Sequence, residues 1–173
     1  MERRPVSMEM HHAISQFLYS EAEMLDQERL REWADDVVDP SISYRMIVTD
    51  ERVRKDKAPA EEREVFVYDD DHAAINMRVR QFESGHQTMN DPVQRMLRSI
   101  TNIRAFHGDA DDEFTVLSYG IVSRSRRLYE NERTSYRRED VLKRMPDGNF
   151  RLLSRRVDLV ERVVRNKNLL FFL

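Results

Sequence analysis

The sequence predicts an α+β fold in which N-terminal helices come first and a long, curled antiparallel sheet wraps around them. Three observations lead there. Ile14, Phe17, Leu18, Ala22 and Leu25 recur at helical spacing and make one apolar stripe. From Ser41 the period changes to two, with Ile42, Tyr44, Met46 and Val48 on one side of an extended segment. The second half then holds four stretches rich in β-branched and aromatic residues, joined by short connections.

Taken in order, Ser7 is placed to cap the first helix, and residues 1–15 are expected to include an N-terminal arm. Glu21 lies within the apolar stripe, an unusual place for a carboxylate. The tract breaks around Asp26-Gln27. A short second helix follows, with Leu30, Trp33 and Val37 on one side and Pro40 beyond its end. After the strand from Ser41 comes Thr49–Glu64, charged throughout and interrupted by Pro59, which reads as a solvated loop ordered against a partner. Glu64–Tyr68 fits a short edge strand. Asp69-Asp70-Asp71 supplies cap acceptors and favourable charge for a helix carrying Ile75, Val79 and Phe82, stopped by Gly85. A divalent-cation site is the other reading of that triplet, and the cap needs fewer assumptions.

The four later stretches are Met96–Phe106, Phe114–Tyr129, Arg133–Met145 and Phe150–Val160. Connections as short as Pro146–Asn149, a strong turn signal, make neighbours antiparallel, so the four form a meander. Phe114–Tyr129 is long for a flat strand, and Gly120 in its middle is expected to mark a bulge or sharp bend. Residues 1–173 are read as one domain. The sequence ends Leu169-Leu170-Phe171-Phe172-Leu173. In extended geometry Leu169, Phe171 and Leu173 face one way and Leu170 and Phe172 the other, so both faces need cover. The segment is expected to be a last strand or a plug, closing the sheet's curl or lying against a neighbouring subunit.

The chain has 173 residues, 35% charged and 40% hydrophobic, with a formal net charge of −3. Charges of both signs are interspersed, which predicts no nucleic-acid partner. Of the 29 cations only four are Lys, a bias that suits planar ion pairs at partly buried sites and is equally explained by codon usage. There is no cysteine, so disulfides, thiol nucleophiles and cysteine-ligated clusters are excluded. Met1–Met10 lacks an apolar signal core and no apolar run approaches spanning length, so no membrane partner and a cytoplasmic location are expected.

No Gly-rich phosphate loop, Gly-x-Ser-x-Gly elbow or His-Glu-x-x-His motif occurs. His11 and His12 are adjacent on a helix and point about 100° apart, a poor metal site. His72, His86 and His107 sit near predicted turns or helix ends. Glu21 is the one candidate acid–base group. Unpaired in a conical pocket its pKa would rise, whereas with so many arginines a buried Glu–Arg pair is the commoner outcome. Arg124, Arg126, Arg137 and Arg155 alternate with apolar residues, and Arg127, Arg138 and Arg156 follow or precede them. These fit either a solvated outer face or a face docked on an acidic partner.

The order of segments resembles the small (β) subunit of bacterial aromatic-ring-hydroxylating dioxygenases, the Rieske non-haem iron oxygenases, from about Gln16 to the end. Phe17–Asp26 followed by Arg29–Trp33 looks like that family's opening helices, and Ile42–Met46 its first strand. Asn76–Gly85, Asn90–Pro92 and Ser99–Arg104 are similar to its central helix, following turn and next strand. Arg138–Val157 and the terminal apolar run are the most specific pieces.

That resemblance implies an NTF2-like cone and a non-catalytic, structural role beside a large α subunit in an α3β3 hexamer with other β subunits. The α subunit would carry the Rieske [2Fe-2S] cluster and the mononuclear Fe(II). It would cis-dihydroxylate aromatic hydrocarbons with O2 and electrons passed from NADH through reductase and ferredoxin. No catalytic, cofactor or metal residue is expected in this chain. The subunit-interface candidates are Arg138, Arg155, Arg156, Asn168, Leu169, Phe171 and Phe172. The alternatives are a free-standing NTF2-like isomerase or dehydratase with a pocket acid–base residue, and an NTF2-like dimer that only binds ligand or protein.

Overall fold

A computed structural model of the chain describes residues 3–49, 64–85, 94–125, 131–160 and 171–173. Ser7 caps helix α1 (Met8–Asp26) by accepting a hydrogen bond from the Met10 amide at 3.2 Å. Residues 8–15, read from sequence as part of an arm, are therefore the first turns of this helix, and Ile14 and Ser15 are buried. Ahead of it, Arg4–Val6 adds to the sheet's edge through bonds to His107 and Ala105. The break after Asp26 is taken at Glu28, whose φ is 57°. One turn, α2 (Leu30–Glu32), then widens into a π-helical turn, Trp33–Val37. Leu30, Trp33 and Val37 are buried, as their spacing predicts.

Six strands form one sheet in the order β2-β1-β6-β5-β4-β3. These are β1 (Val38–Thr49), β2 (Glu64–Asp70), β3 (Arg95–His107), β4 (Glu113–Ser125), β5 (Asn131–Arg144) and β6 (Phe150–Leu159). The meander β3 to β6 is antiparallel throughout, and β2 is an edge strand. A parallel β1–β6 pair joins the two halves of the chain. Asp71 caps helix α3 (His72–Glu83) through the Ala74 amide at 2.8 Å, while Asp70 pairs with Arg78 at 2.7 Å. The Pro146–Asn149 turn closes on Gly148 at φ 90°, with Asp147 accepting from the Asn149 amide. Residues 50–63, 86–93, 126–130 and 161–170 lie outside the described residues, and with them most of the charged loop, His86, Asn90–Pro92, Arg126, Arg127, Asn168, Leu169 and Leu170.

The sheet curls around α1, which packs against β3. One apolar cluster lies beneath the helices and includes Ile14, Leu18, Trp33, Tyr44, Val116 and Leu152. A second lies deeper along the strands, with Met46, Val122, Tyr136, Val157 and Leu159. The tail divides between them, Phe172 in the first and Phe171 with Leu173 in the second. This is the alternation expected of an extended segment, and residues 171–173 run outside any strand, as a plug.

Two one-residue offsets set which side chains face inward. In β3, Asn102 and Ile103 stand opposite the single Ser118, and Asn102 takes a left-handed φ of 54°, which Asn tolerates. In β6, Leu142 and Val141 pair with Leu152 and Ser154, leaving Leu153 extra. Phe150 and Leu152 face inward before it, and Arg155, Val157 and Leu159 after it. Were the strict period of two carried straight through Leu153 with no offset, Ser154 and Arg156 would face inward instead.

Gly120 does not mark a bulge, one of the two features expected of it from sequence. The β4–β5 register runs unbroken from Glu113 to Ser125, with Gly120 opposite Tyr136. The glycine is needed because the Tyr136 ring lies over it: an added Cβ would sit 2.1 Å from Tyr136 Cζ. Gly120→Ala is expected to destabilise the fold by about 2 kcal/mol through overpacking. Urea unfolding checks this, and adding Tyr136→Leu should recover part of the loss in a double-mutant cycle.

Candidate functional site

The inward positions of β1, β5 and β6 and the buried face of α1 bring an ionic cluster to the centre of the curl. Its hub is Arg155, fully buried and paired across strands with Asp140. Its Nε donates to Asp140 Oδ1 at 2.8 Å and its Nη2 to Asp140 Oδ2 at 3.0 Å. The same guanidinium reaches α1, donating to Glu21 Oε1 and Oε2, each at 2.8 Å. The remaining Nη1 donor goes to the Leu173 main-chain oxygen at 3.0 Å. Those five bonds account for the five N–H donors that a guanidinium carries. Arg138 adds a second cation, 3.0 Å from Asp140 and 3.6 Å from Glu21, so two carboxylates face two guanidiniums.

Glu21 also accepts from Trp33 Nε1 at 3.0 Å. Burial by itself would push its pKa up, but the charges of Arg155 and Arg138 and the hydrogen bonds from Arg155 and Trp33 outweigh that. The net effect is to hold it down, at about 2 against an ordinary 4.5. The sequence expectation of a buried Glu–Arg pair is thus what the geometry has. A carboxylate held ionised, with both oxygens occupied, is a poor proton acceptor near neutral pH. Burial raises the Tyr44 and Tyr136 phenols, against the lowering effect of the same arginines.

The tail is gripped by this cluster. Tyr44 Oη donates to the Leu173 oxygen at 3.1 Å and accepts from the Leu173 amide at 2.8 Å. Arg98, held by Asp26 through a short ion pair and a 3.0 Å bond from its own amide, donates to the Phe172 oxygen at 2.8 Å. The Phe172 ring lies 4.5 Å from Trp33 and edge-on to Tyr44 at 5.8 Å. Arg124 stands over Phe171 at 5.7 Å.

Of the sequence candidates, Arg138, Arg155, Phe171 and Phe172 come together here, inside the curl and 5% exposed or less. Of the described candidates only Arg156 faces outward, pairing with Glu64 and, at 3.3 Å, with Asp158. Sequence reasoning missed Tyr44, Arg98, Asp26 and Asp140. The one available signal was that Asp140 shares an inward period of two with Tyr136, Arg138 and Leu142. A separate cleft of about 590 Å³ opens beside α1, lined in part by Phe17, Met24, Val37 and Pro146. It also reaches Asp36 and Arg151, and Arg151 is engaged with the Asp35 and Val38 carbonyls. Among the histidines, His11 bonds the Ile103 carbonyl at 3.0 Å and His107 packs on Phe114. Among the described residues no three His, Asp or Glu side chains are grouped to hold a metal ion.

Because the Glu21 pKa is lowered by folding, its contribution is complete above the ordinary carboxylate range and is lost as pH falls from about 4.5 toward 2. Glu21→Gln should cost about 3 kcal/mol near pH 7, since it leaves Arg155 partly unpaired in the interior. It should also flatten the fall in stability between pH 5 and 3, measured by urea unfolding across that range.

The family model described as "Ring hydroxylating beta subunit" matches residues 20–166. A chain of naphthalene 1,2-dioxygenase with indole bound in its active site superposes with a TM-score of 0.90 at 26% identity, covering 97% of this chain and 88% of that one. The β subunit of benzoate 1,2-dioxygenase from Burkholderia mallei superposes at 0.69 and 16% identity, covering 92% and 95%. ActVI-ORFA from Streptomyces coelicolor superposes at 0.62 and 16% identity, covering 90% and 98%, and carries the fold alone. The fold is the NTF2-like α+β cone of dioxygenase β subunits. With the model spanning 147 of 173 residues (166 − 20 + 1), the chain belongs to the ring-hydroxylating dioxygenase β-subunit family.

Proposed function

We propose that this chain is a structural, non-catalytic β subunit of a terminal oxygenase, supporting an α subunit that cis-dihydroxylates an aromatic hydrocarbon. The partners are then an α subunit and further β subunits in an α3β3 hexamer, working in the cytoplasm, with reductase and ferredoxin acting on the α subunit. The observation that carries the non-catalytic part is Glu21. Glu21, the base candidate in the cone, is buried, held ionised and engaged by Arg155 and Trp33, and the neighbouring Asp140 is engaged by Arg155 and Arg138. Membership of the family and the likeness to naphthalene 1,2-dioxygenase support the assembly and the reaction.

The cofactors follow from donor chemistry. A Rieske cluster needs two Cys and two His ligands, and this chain has no cysteine. On this reading the cluster, and with it the mononuclear iron, sits in the α subunit. Within this chain the outward Arg156 and the segment holding Asn168 and Leu169 are the proposed contacts. Arg138, Arg155, Phe171 and Phe172 act on assembly from inside, by holding the end of that segment.

Co-production with the large Rieske oxygenase chain of the same organism tests the reading. Size exclusion should give a brown complex of hexamer mass, and a colourless species that ignores the large chain counts against it. Turnover of an isomerase or dehydratase substrate by the isolated chain, lost in Glu21→Gln, would favour a free-standing enzyme instead. Deleting Asn168–Leu173 should lower the assembled fraction while turnover per assembled complex stays unchanged, checked by analytical size exclusion beside product assay.

A further inference from the structure

Phe172 and Leu173 are held as a receptor holds a peptide. The hydrogen bonds described for their backbone go to side chains, those of Arg98, Arg155 and Tyr44, and none goes to a strand. Two cations read successive main-chain oxygens, one hydroxyl reads both the N–H and the oxygen of Leu173, and an aromatic slot of Trp33 and Tyr44 takes the ring between. Leu173 is fully buried in an apolar pocket that includes Met46, Val122, Val157 and Leu159.

The slot's two cations and its tryptophan each hold partners outside the tail. Arg155 keeps four hydrogen bonds to Glu21 and Asp140 with the tail set aside, and Arg98 keeps its pairing with Asp26. Trp33 is fixed by its bond to Glu21. A site whose donors are already oriented loses little freedom on binding, so it retains affinity for a detached ligand.

We propose that the interior of the cone is a binding site for an extended apolar peptide carrying an aromatic ring between two apolar side chains, occupied in this chain by its own Phe171–Leu173. The tail is then a ligand supplied in cis. It seats in a cone that is already closed and is exchangeable for a second segment of the same chemistry. This inference stands apart from the oxygenase reading, since it concerns the chain's own interior and uses no α subunit.

The test begins from the folded full-length chain, so that failure of a truncated chain to fold does not confuse it. A protease site is placed within residues 161–170 and cut after purification. Acetyl-Leu-Leu-Phe-Phe-Leu bearing an N-terminal label is then added in excess. Occupancy is followed by retained label on gel filtration and by emission of Trp33, the only tryptophan in the chain and 4.5 Å from the Phe172 ring. Saturable exchange of label, with Trp33 emission first shifted by release and then restored, supports the site. Tyr44→Phe, cut in the same way, should retain the peptide about tenfold less well, having lost two hydrogen bonds to Leu173. The same peptide with Ala in place of the Phe172 equivalent should not compete. A cut chain that never exchanges label, that unfolds on cutting, or that takes both peptides equally overturns the proposal.

Discussion

A guanidinium withdrawn from water has five N–H groups to satisfy, and leaving any of them unmet in a low dielectric is costly. Arg155 meets that demand with groups from three separate parts of the chain, Glu21 on α1, Asp140 on β5 and Leu173 in the tail. Helix position, strand pairing and tail seating are therefore coupled through one side chain. Arg138 balances the second carboxylate, and the four charges sum to zero. Buried ion clusters of this kind add less to stability than apolar packing of equal volume would, but they tolerate few rearrangements. The apolar clusters on either side could pack in several ways, whereas five directed bonds fit one.

Much of the frame was legible because it rests on local patterns. Ser7, Asp71 and the Pro146–Asn149 turn act through their own neighbours, and the meander follows from short connections. The paired state of Glu21 was legible from its place in an apolar stripe among many arginines. Its partner was not, because candidate arginines lie on both of the last two strands and, in β6, whether Arg155 or Arg156 faces inward depends on Leu153. An extra residue of that kind leaves no trace in an apolar–polar pattern whose inward positions include an Arg. Gly120 was legible only in part, for a related reason. Glycine in a strand signals a bulge, a bend or a close approach, and only the opposite residue, Tyr136, reveals the close approach. Tyr44 and Arg98 were invisible as a pair because their meeting point is the tail, far away in sequence.

The same interior bears on the division of labour in the proposed oxygenase. A cone can serve as a pocket only where its centre is open and holds a group able to take or give a proton. Here the centre is occupied by Phe171, Phe172 and Leu173, and its carboxylates are held by arginines. The open cleft beside α1 meets the ionic centre at Glu21, which lines it and is already held by Arg155. On the proposed reading, the part of the scaffold that could house a substrate instead anchors the segment that reaches a neighbour.

The extra residue at Leu153 has a bearing on how relatives of this chain are aligned. Two arginines, 155 and 156, stand side by side, one at the ionic centre and one on the outside. In a relative whose sixth strand lacks the extra residue, the inward cation would fall one place earlier in the strand. An alignment that matches Arg to Arg without a gap there would equate a core position with a surface one. The offset therefore has to be placed from the pairing of Leu142 with Leu152 before any residue of the strand is compared between proteins.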